Sequence, residues 1–138
     1  MRHSYLFEEG QWEASGVLFD EEGEAAITTG GAQIIHYADR WEVESWMAEF
    51  ENRYTLEPFS EQEAQALWRS LNPAVGILQG VFVVVGECIL SRYASDDGVL
   101  TGVESLRQVA ADRYESRGAA SMGQKVLSRW EMTLIKTA

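Results

Sequence analysis

Glu104 is the carboxylate of this sequence that is best placed to do chemistry. It shares one face of a β-type run with Leu100 and Leu106, so an inward-facing run would bury it among apolar side chains. A buried carboxylate needs a partner or takes up a proton, because burial penalises the charged form. Arg92 and Arg117 lie on neighbouring runs. They would form either an internal Arg–Glu pair or a clamp for a carboxylate ligand.

A histidine and two tryptophans complete the candidate ligand-binding set. His36 lies in the apolar stretch 34–37, where a histidine either satisfies the core through hydrogen bonds or contacts a ligand. Trp46 and Trp130 lie in alternating runs, as core residues or as walls for a flat apolar ligand. We therefore expect ligand contacts from His36, Trp46, Arg92, Glu104, Arg117 and Trp130.

The sequence carries no strong catalytic or metal-binding motif. The phosphate-loop pattern GxxxxGK[ST] is missing, and His3, His36 and Cys88 lack the spacing of a metal site. We predict no catalytic residue, no metal and no cofactor. An enzyme would have to use Glu104 with His36 as its acid–base pair.

Charge and length limit the class of protein. The chain has 138 residues, a common size for one domain, and no linker-like segment divides it. Its formal net charge is −11, with fifteen acids against three arginines in residues 1–65 and seven acids against eight bases in residues 66–138. An acidic chain repels phosphate backbones, so nucleic acid is not expected as a partner.

Targeting signals are not found in the sequence. The longest apolar run, residues 81–85, is far too short to span a membrane. The first nine residues hold no stretch of signal-peptide length, and a single cysteine cannot form an intrachain disulfide. These features are those expected of a cytoplasmic protein.

Short β-type runs separated by turn signals dominate the chain. Alternation is clear in residues 10–19 and 125–137, and Gly30-Gly31 marks either a hairpin turn or a bulge in one long strand. Nine or ten strands in hairpin succession close most simply as an antiparallel up-and-down barrel. A two-sheet sandwich is the alternative.

One segment has helical rather than β periodicity. Ser60 and Glu63 fit a capping box. Apolar residues follow at positions i, i+3, i+4 and i+7, namely Ala64, Leu67, Trp68 and Leu71. The pattern predicts one short helix over residues 61–71, ended by Asn72-Pro73.

The two ends of the chain carry a family resemblance. Gly10-Gln11-Trp12 matches the Gly-x-Trp signature that begins the first strand of lipocalins, and residues 102–134 resemble the last three strands of small bacterial lipocalin-like proteins. The chain thus resembles the calycin superfamily. This resemblance implies a single barrel domain over residues 1–138, closed between the strands of Trp12 and Trp130. It also implies that Trp12 packs at the closed end beneath a basic residue, here Arg129.

Non-catalytic binding of a small hydrophobic or amphipathic molecule in the barrel is the function that we expect. It predicts an enclosed cavity with one or two arginines inside. Two alternatives stay open. One is a barrel enzyme, such as a lyase or isomerase acting on an apolar substrate. The other is a structural module that forms a homodimer through a sheet face such as residues 81–85.

Overall fold

Ten antiparallel strands form a closed barrel in a computed structural model that describes residues 2–48, 50–63, 65–72, 74 and 76–138. The strands are β1 (Gly10–Phe19), β2 (Ala25–His36), β3 (Trp41–Met47), β4 (Phe50–Leu56), β5 (Ala66–Asn72), β6 (Gly76–Val85), β7 (Cys88–Ser95), β8 (Leu100–Ala110), β9 (Arg113–Met122) and β10 (Lys125–Lys136). Each strand pairs with its neighbours in sequence, and β1 pairs with β10 to close the ring. The predicted up-and-down barrel, closed between the strands of Trp12 and Trp130, is confirmed.

The predicted helix is wrong, because residues 66–72 form strand β5. Trp68 and Ser70 point into the barrel and are buried, whereas Leu67 and Leu71 lie on the outer face, 68% and 74% exposed. Pairing with β4 and β6 overrides the local helical spacing. No helix occurs among the described residues, and so none there is long and apolar enough to cross a membrane.

The predicted capping box is present only as an isolated turn. The backbone amide of Ser60 donates to a Glu63 carboxylate oxygen at 3.0 Å, and the Glu63 amide donates to the Ser60 carbonyl at 3.1 Å. The turn does not continue as a helix because the chain enters β5 at Ala66. Ala64 and Pro73, which belong to the predicted helix and its end, lie outside the described residues.

The Gly30-Gly31 pair is neither a turn nor a bulge. Strand β2 runs through it and keeps an unbroken register with β1 from Gly10 opposite Ile34 to Phe19 opposite Ala25. A Cβ atom at Gly30 would lie 2.1 Å from the carbonyl oxygen of a residue on β3. The glycines therefore permit a close approach of neighbouring strands.

The two ends of the barrel differ. Residues 3–9, which we call the N-terminal strap, cross one end, where Tyr5 packs on Trp12 with ring centroids 5.3 Å apart. The hairpin turns after β1, β3, β5, β7 and β9 surround the other end. Inward side chains are fully buried near the strap, as Ile34 and Val43 show, and partly exposed near the turns, as Leu18 and Leu100 show. Solvent therefore reaches the interior from the turn end.

Histidine hydrogen bonds hold the strap in place. His3 Nε2 donates to the Gly86 carbonyl at 2.9 Å, and its Nδ1 lies 2.7 Å from the Tyr114 hydroxyl. His36 Nε2 donates to the Leu6 carbonyl at 2.7 Å. Leu6 has a φ of 71°, which is uncommon for a bulky residue, and is fully buried. Several strands thus fix the strap in a single path.

The implied contact between Trp12 and Arg129 is wrong. Arg129 pairs with Phe19, and its guanidinium carbon lies 4.9 Å from the centre of the Phe19 ring. That position is at the turn end, whereas Trp12 lies opposite Lys136 at the strap end. The register of β1 with β10 separates the two residues by the length of the strands.

The pairing of β4 with β5 is the shortest seam of the ring. The described residues pair at three positions only, from Tyr54 opposite Ser70 to Leu56 opposite Trp68. We expect backbone amides at this seam to exchange with deuterium faster than those between β8 and β9, because short pairing lowers the cost of local opening. Residue-resolved hydrogen exchange measures this difference, and equal protection of the two pairings would contradict it.

Candidate ligand-binding site

Glu104 is the one acidic side chain at the inward positions of the described strands. Its Oε2 atom accepts hydrogen bonds from Ser116 Oγ on β9 at 2.7 Å and from Trp130 Nε1 on β10 at 3.3 Å. Trp130 Nε1 also lies 3.2 Å from Ser116 Oγ. No hydrogen bond reaches the second oxygen, Oε1, from any described residue. One carboxylate oxygen is thus fixed and the other is left for a further partner.

Burial works against the charged form of Glu104. Burial raises the pKa of its carboxyl above the ordinary value, and the hydrogen bonds from Ser116 and Trp130 oppose that rise. Burial also raises the pKa of Tyr93 to about 12, and the charge of Glu104 adds to the effect. Burial and the charge of Glu104 also raise the pKa values of Tyr5 and Tyr54. The contact between the two phenols raises the pKa of Tyr54 further, whereas their hydrogen bond opposes the rise at Tyr5. Glu104 is therefore surrounded by neutral phenols.

Three aromatic rings lie flat against the inner wall because a glycine faces each of them. Trp68 covers Gly80, Tyr93 covers Gly102, and Trp130 covers Gly118, each pair being cross-strand partners. A Cβ atom at these glycines would lie 2.2, 2.0 and 2.1 Å from the respective ring. An aromatic ring over a glycine is a known device for strengthening a sheet. The three rings therefore lie along the barrel wall and do not extend across the interior.

Three polar atoms on β4 and β5 are buried without a hydrogen-bond partner among the described residues. They are Asn52 Oδ1, Trp68 Nε1 and Ser70 Oγ. In the ring of ten strands β4 lies five places from β9, and β5 lies five places from β10, so these atoms belong to the wall opposite Ser116 and Trp130. Buried polar groups are normally satisfied, and unsatisfied ones in an interior mark places for water or a ligand.

Of the six predicted site residues, the structure brings together Glu104 and Trp130. Arg92 and Arg117 lie exposed on the outer face, so the prediction that they point into the interior is wrong. The register places Ser91 opposite Glu104, which turns Arg92 outward. Arg117 instead pairs with acids on the outer surface. The interior thus does not hold the predicted arginines.

His36 and Trp46 lie away from Glu104. The ring of His36 stacks on Trp41 at 4.2 Å and binds the strap, so the acid–base pair of Glu104 with His36 is not assembled. Trp46 is 41% exposed on the outer face, where it covers Gly31. Within the described part of the chain, no three His, Cys, Asp or Glu side chains converge as a metal site would require.

Sequence reasoning missed Ser116 and the tyrosines around Glu104. Ser116 was detectable, because it alternates with Tyr114 and Gly118 and so shares the face that Glu104 meets. Tyr5 gave no signal, since it reaches the interior from the strap rather than from a strand.

Comparison with known proteins supports the fold. No protein-family model matches the chain, and no curated protein matches its sequence. The S-type phycobiliprotein lyase CPES from Guillardia theta matches in structure with a TM-score of 0.68 and 13% sequence identity, over 95% of this chain and 89% of that chain. At this identity the likeness shows a shared fold. Together with the closed barrel, it fits a calycin-type fold.

The raised pKa of Glu104 predicts a pH-dependent stability. The folded chain binds more protons than the unfolded chain between the ordinary value of 4.5 and the raised pKa, so this group destabilises the fold as pH rises through that window. We expect wild type to lose stability relative to Glu104→Gln as pH rises from the ordinary value of 4.5 through the raised pKa. Urea unfolding of both proteins across this range measures the difference.

Glu115→Gln is the matched control on the outer face. A hydrogen bond from Arg107 lowers the pKa of Glu115, so wild type should gain stability relative to this variant as pH rises through the acidic range. A trend of the same sign for both variants would contradict the assignment of Glu104 as a buried acid.

The glycine–aromatic pairs predict a steric coupling. Gly80→Ala places a methyl group into the Trp68 ring and should lower the free energy of unfolding by about 1–3 kcal/mol. The same change in a Trp68→Leu background should cost less, because the smaller side chain makes room. Denaturant unfolding of the double-mutant cycle measures the coupling. Equal costs in both backgrounds would show that the ring does not lie over the glycine.

Proposed function

We propose that this chain binds a small, flat, amphipathic molecule inside the barrel, with Glu104 receiving its polar group. The supporting observation is the Glu104 carboxyl itself. It faces inward, no described cation pairs with it, and its Oε1 atom has no described hydrogen-bond partner. Burial penalises the charged form of this half-buried carboxyl, and a hydrogen bond from a ligand donor would offset part of that cost.

The chemistry of the interior selects a ligand with a hydrogen-bond donor. Arg92 and Arg117 lie outside, so a carboxylate ligand would meet Glu104 without any cation to hold it. An N–H or O–H group on the ligand could instead donate to Glu104 Oε1. The flat rings of Trp68, Tyr93 and Trp130 would contact its apolar part.

Access to this site would be from the turn end. The strap covers the opposite end, where Leu6 and Trp12 are fully buried. Glu104 is itself partly exposed and lies between the buried Leu106 and the partly exposed Leu100 at the turn end of β8. A ligand could therefore reach it without displacement of the strap.

A barrel enzyme is the second candidate function. Its support is a carboxyl whose pKa is raised by burial, as is usual for a general acid. The structural neighbour is named as a lyase, although His36 does not accompany Glu104 here. Such an enzyme would depend on Glu104 and the neighbouring phenols of Tyr5 and Tyr54 for its catalytic groups.

A fluorescent probe pair tests the binding site. N-phenyl-1-naphthylamine is flat, neutral and carries one N–H, whereas its N-methyl derivative lacks that donor. We expect saturable binding of the first probe, with quenching of tryptophan emission by energy transfer. The N-methyl probe should bind about tenfold more weakly, as expected for loss of one hydrogen bond to a charged or buried group.

Two variants locate the probe. Glu104→Leu removes the acceptor and should weaken the N–H probe about tenfold, with little effect on the N-methyl probe. Glu115→Leu on the outer face is the control and should change neither. Absence of saturable binding by both probes would contradict binding in the interior. If Glu104→Leu left binding of the N–H probe unchanged, the result would contradict the role of Glu104 but not binding in the interior.

A further inference from the structure

The outer face of β5 to β8 carries no acidic side chain at its described outward positions. More than half of these positions are Leu, Ile or Val, and the charged ones are Arg69, Arg92 and Arg107. We call this surface the apolar–arginine face. The chain as a whole has 22 acids against 11 bases, so an acid-free surface across four strands is a marked departure from its composition.

Acidic residues lie beyond the β4 edge of the face instead. Glu42 and Glu44 lie at outward positions of β3, and Glu51 lies at an outward position of β4. The outer surface of β3 and β4 is therefore acidic, whereas the face beside it is apolar and basic. Division of this kind orients a protein toward a partner of complementary charge.

A row of side chains in direct register crosses the centre of the apolar–arginine face. Leu67 lies opposite Val81, Val81 opposite Arg92, and Arg92 opposite Val103. Leu67 is 68% exposed and Val103 is 54% exposed. Arg92 forms no ion pair with any described acid, so its guanidinium stands between apolar neighbours with its donors uncommitted. Protein interfaces combine arginine with apolar residues and lack acids at their centres in this way.

A groove of about 580 Å³ adjoins the face at the β4–β5 seam. Leu67 and Arg69 line it from the face itself, and Pro58 and Phe59 line it from the loop before β5, together with the acidic side chains of Glu57 and Glu63. A groove beside an exposed apolar row can receive an anchoring side chain, and such anchors supply much of the affinity of an interface.

We propose that the apolar–arginine face is a docking surface for a different protein, whose matching surface has an apolar centre and carboxylates that pair with Arg92 and Arg69. A second copy placed on this face by a twofold axis would set arginines against arginines with no acid between them. An anionic membrane would repel a chain whose net charge is −11. This proposal does not depend on the interior site.

Site-specific photocrosslinking in the organism that makes the protein tests the proposal. A benzophenone amino acid is placed at Leu67 or Val103, and at Gln33 on the outer face of β2 as the control. We expect one adduct with a distinct protein from the first two positions and none from the third. The adduct counts as support only after the partner has been identified, purified and shown to bind.

Charge variants complete the test with the purified partner. Arg92→Glu should weaken its binding at least about tenfold at low salt, and exchange of a partner carboxylate for arginine should restore it. Arg129→Glu, on the outer face of β10, should change binding less than about twofold. Thermal unfolding checks that both variants are folded.

Four results would overturn the proposal. In the crosslinking experiment, they are the absence of any adduct from positions 67 and 103 and an adduct with a second copy of this chain. In the binding experiment, they are binding of the purified partner that Arg92→Glu does not weaken and binding that is seen only to phosphatidylcholine–phosphatidylserine vesicles.

Discussion

Pairing of β1 with β10 fixes the orientation of every side chain in the barrel. Successive residues of a strand point to opposite faces, so a slip of one residue would turn a whole strand inside out. In an open sheet an edge strand can slip alone. In a closed ring each strand is held on both sides, so the position of Glu104 depends on pairings as distant as Leu18 opposite Trp130. Closure also removes the exposed strand edges that promote aggregation.

Much of the fold could be predicted from residues whose local pattern agrees with their pairing. Strand β1 alternates from Trp12 to Leu18, and the structure buries that same face. The turn at residues 95–98 is equally local, because the Asp97 carboxylate accepts bonds from Ser95 and from the Val99 amide. Such features are set by neighbours in sequence, and one sequence is enough to find them.

Strand β5 could not be predicted because its pattern is ambiguous. Leucines that belong to the outer face, Leu67 and Leu71, fall four residues apart and complete a helical spacing with Trp68. Their outward orientation is set by the pairing of β5 with β4 and β6, which local periodicity cannot indicate. A helix and an exposed apolar strand therefore give the same short pattern.

The candidate site was predicted in part for a related reason. Glu104 was placed inward by its apolar neighbours, and Trp130 followed from the alternation of β10. Arg92 and Arg117 were assigned to the wrong face because the inward phase of β7 and β9 is set by cross-strand partners. Ser91 and Ser116 hold the inward positions that the arginines were expected to share. The inward position of Tyr5 could not be predicted, because its contacts join segments that are far apart in the chain.

The strap imposes an order on folding. His3 and Tyr114, which contact each other, are separated by 111 positions in the chain. Trp12 lies on β1, and the barrel closes only when β1 pairs with β10. A ribosome makes the strap before any strand, yet its binding surface comes together after the last strand has been made. The strap must therefore dock late, after chain synthesis has passed β10. The many contacts between distant segments favour slow folding. Until then the apolar side chains of Tyr5 and Leu6 remain exposed, so chaperone binding to the first residues would protect the nascent chain.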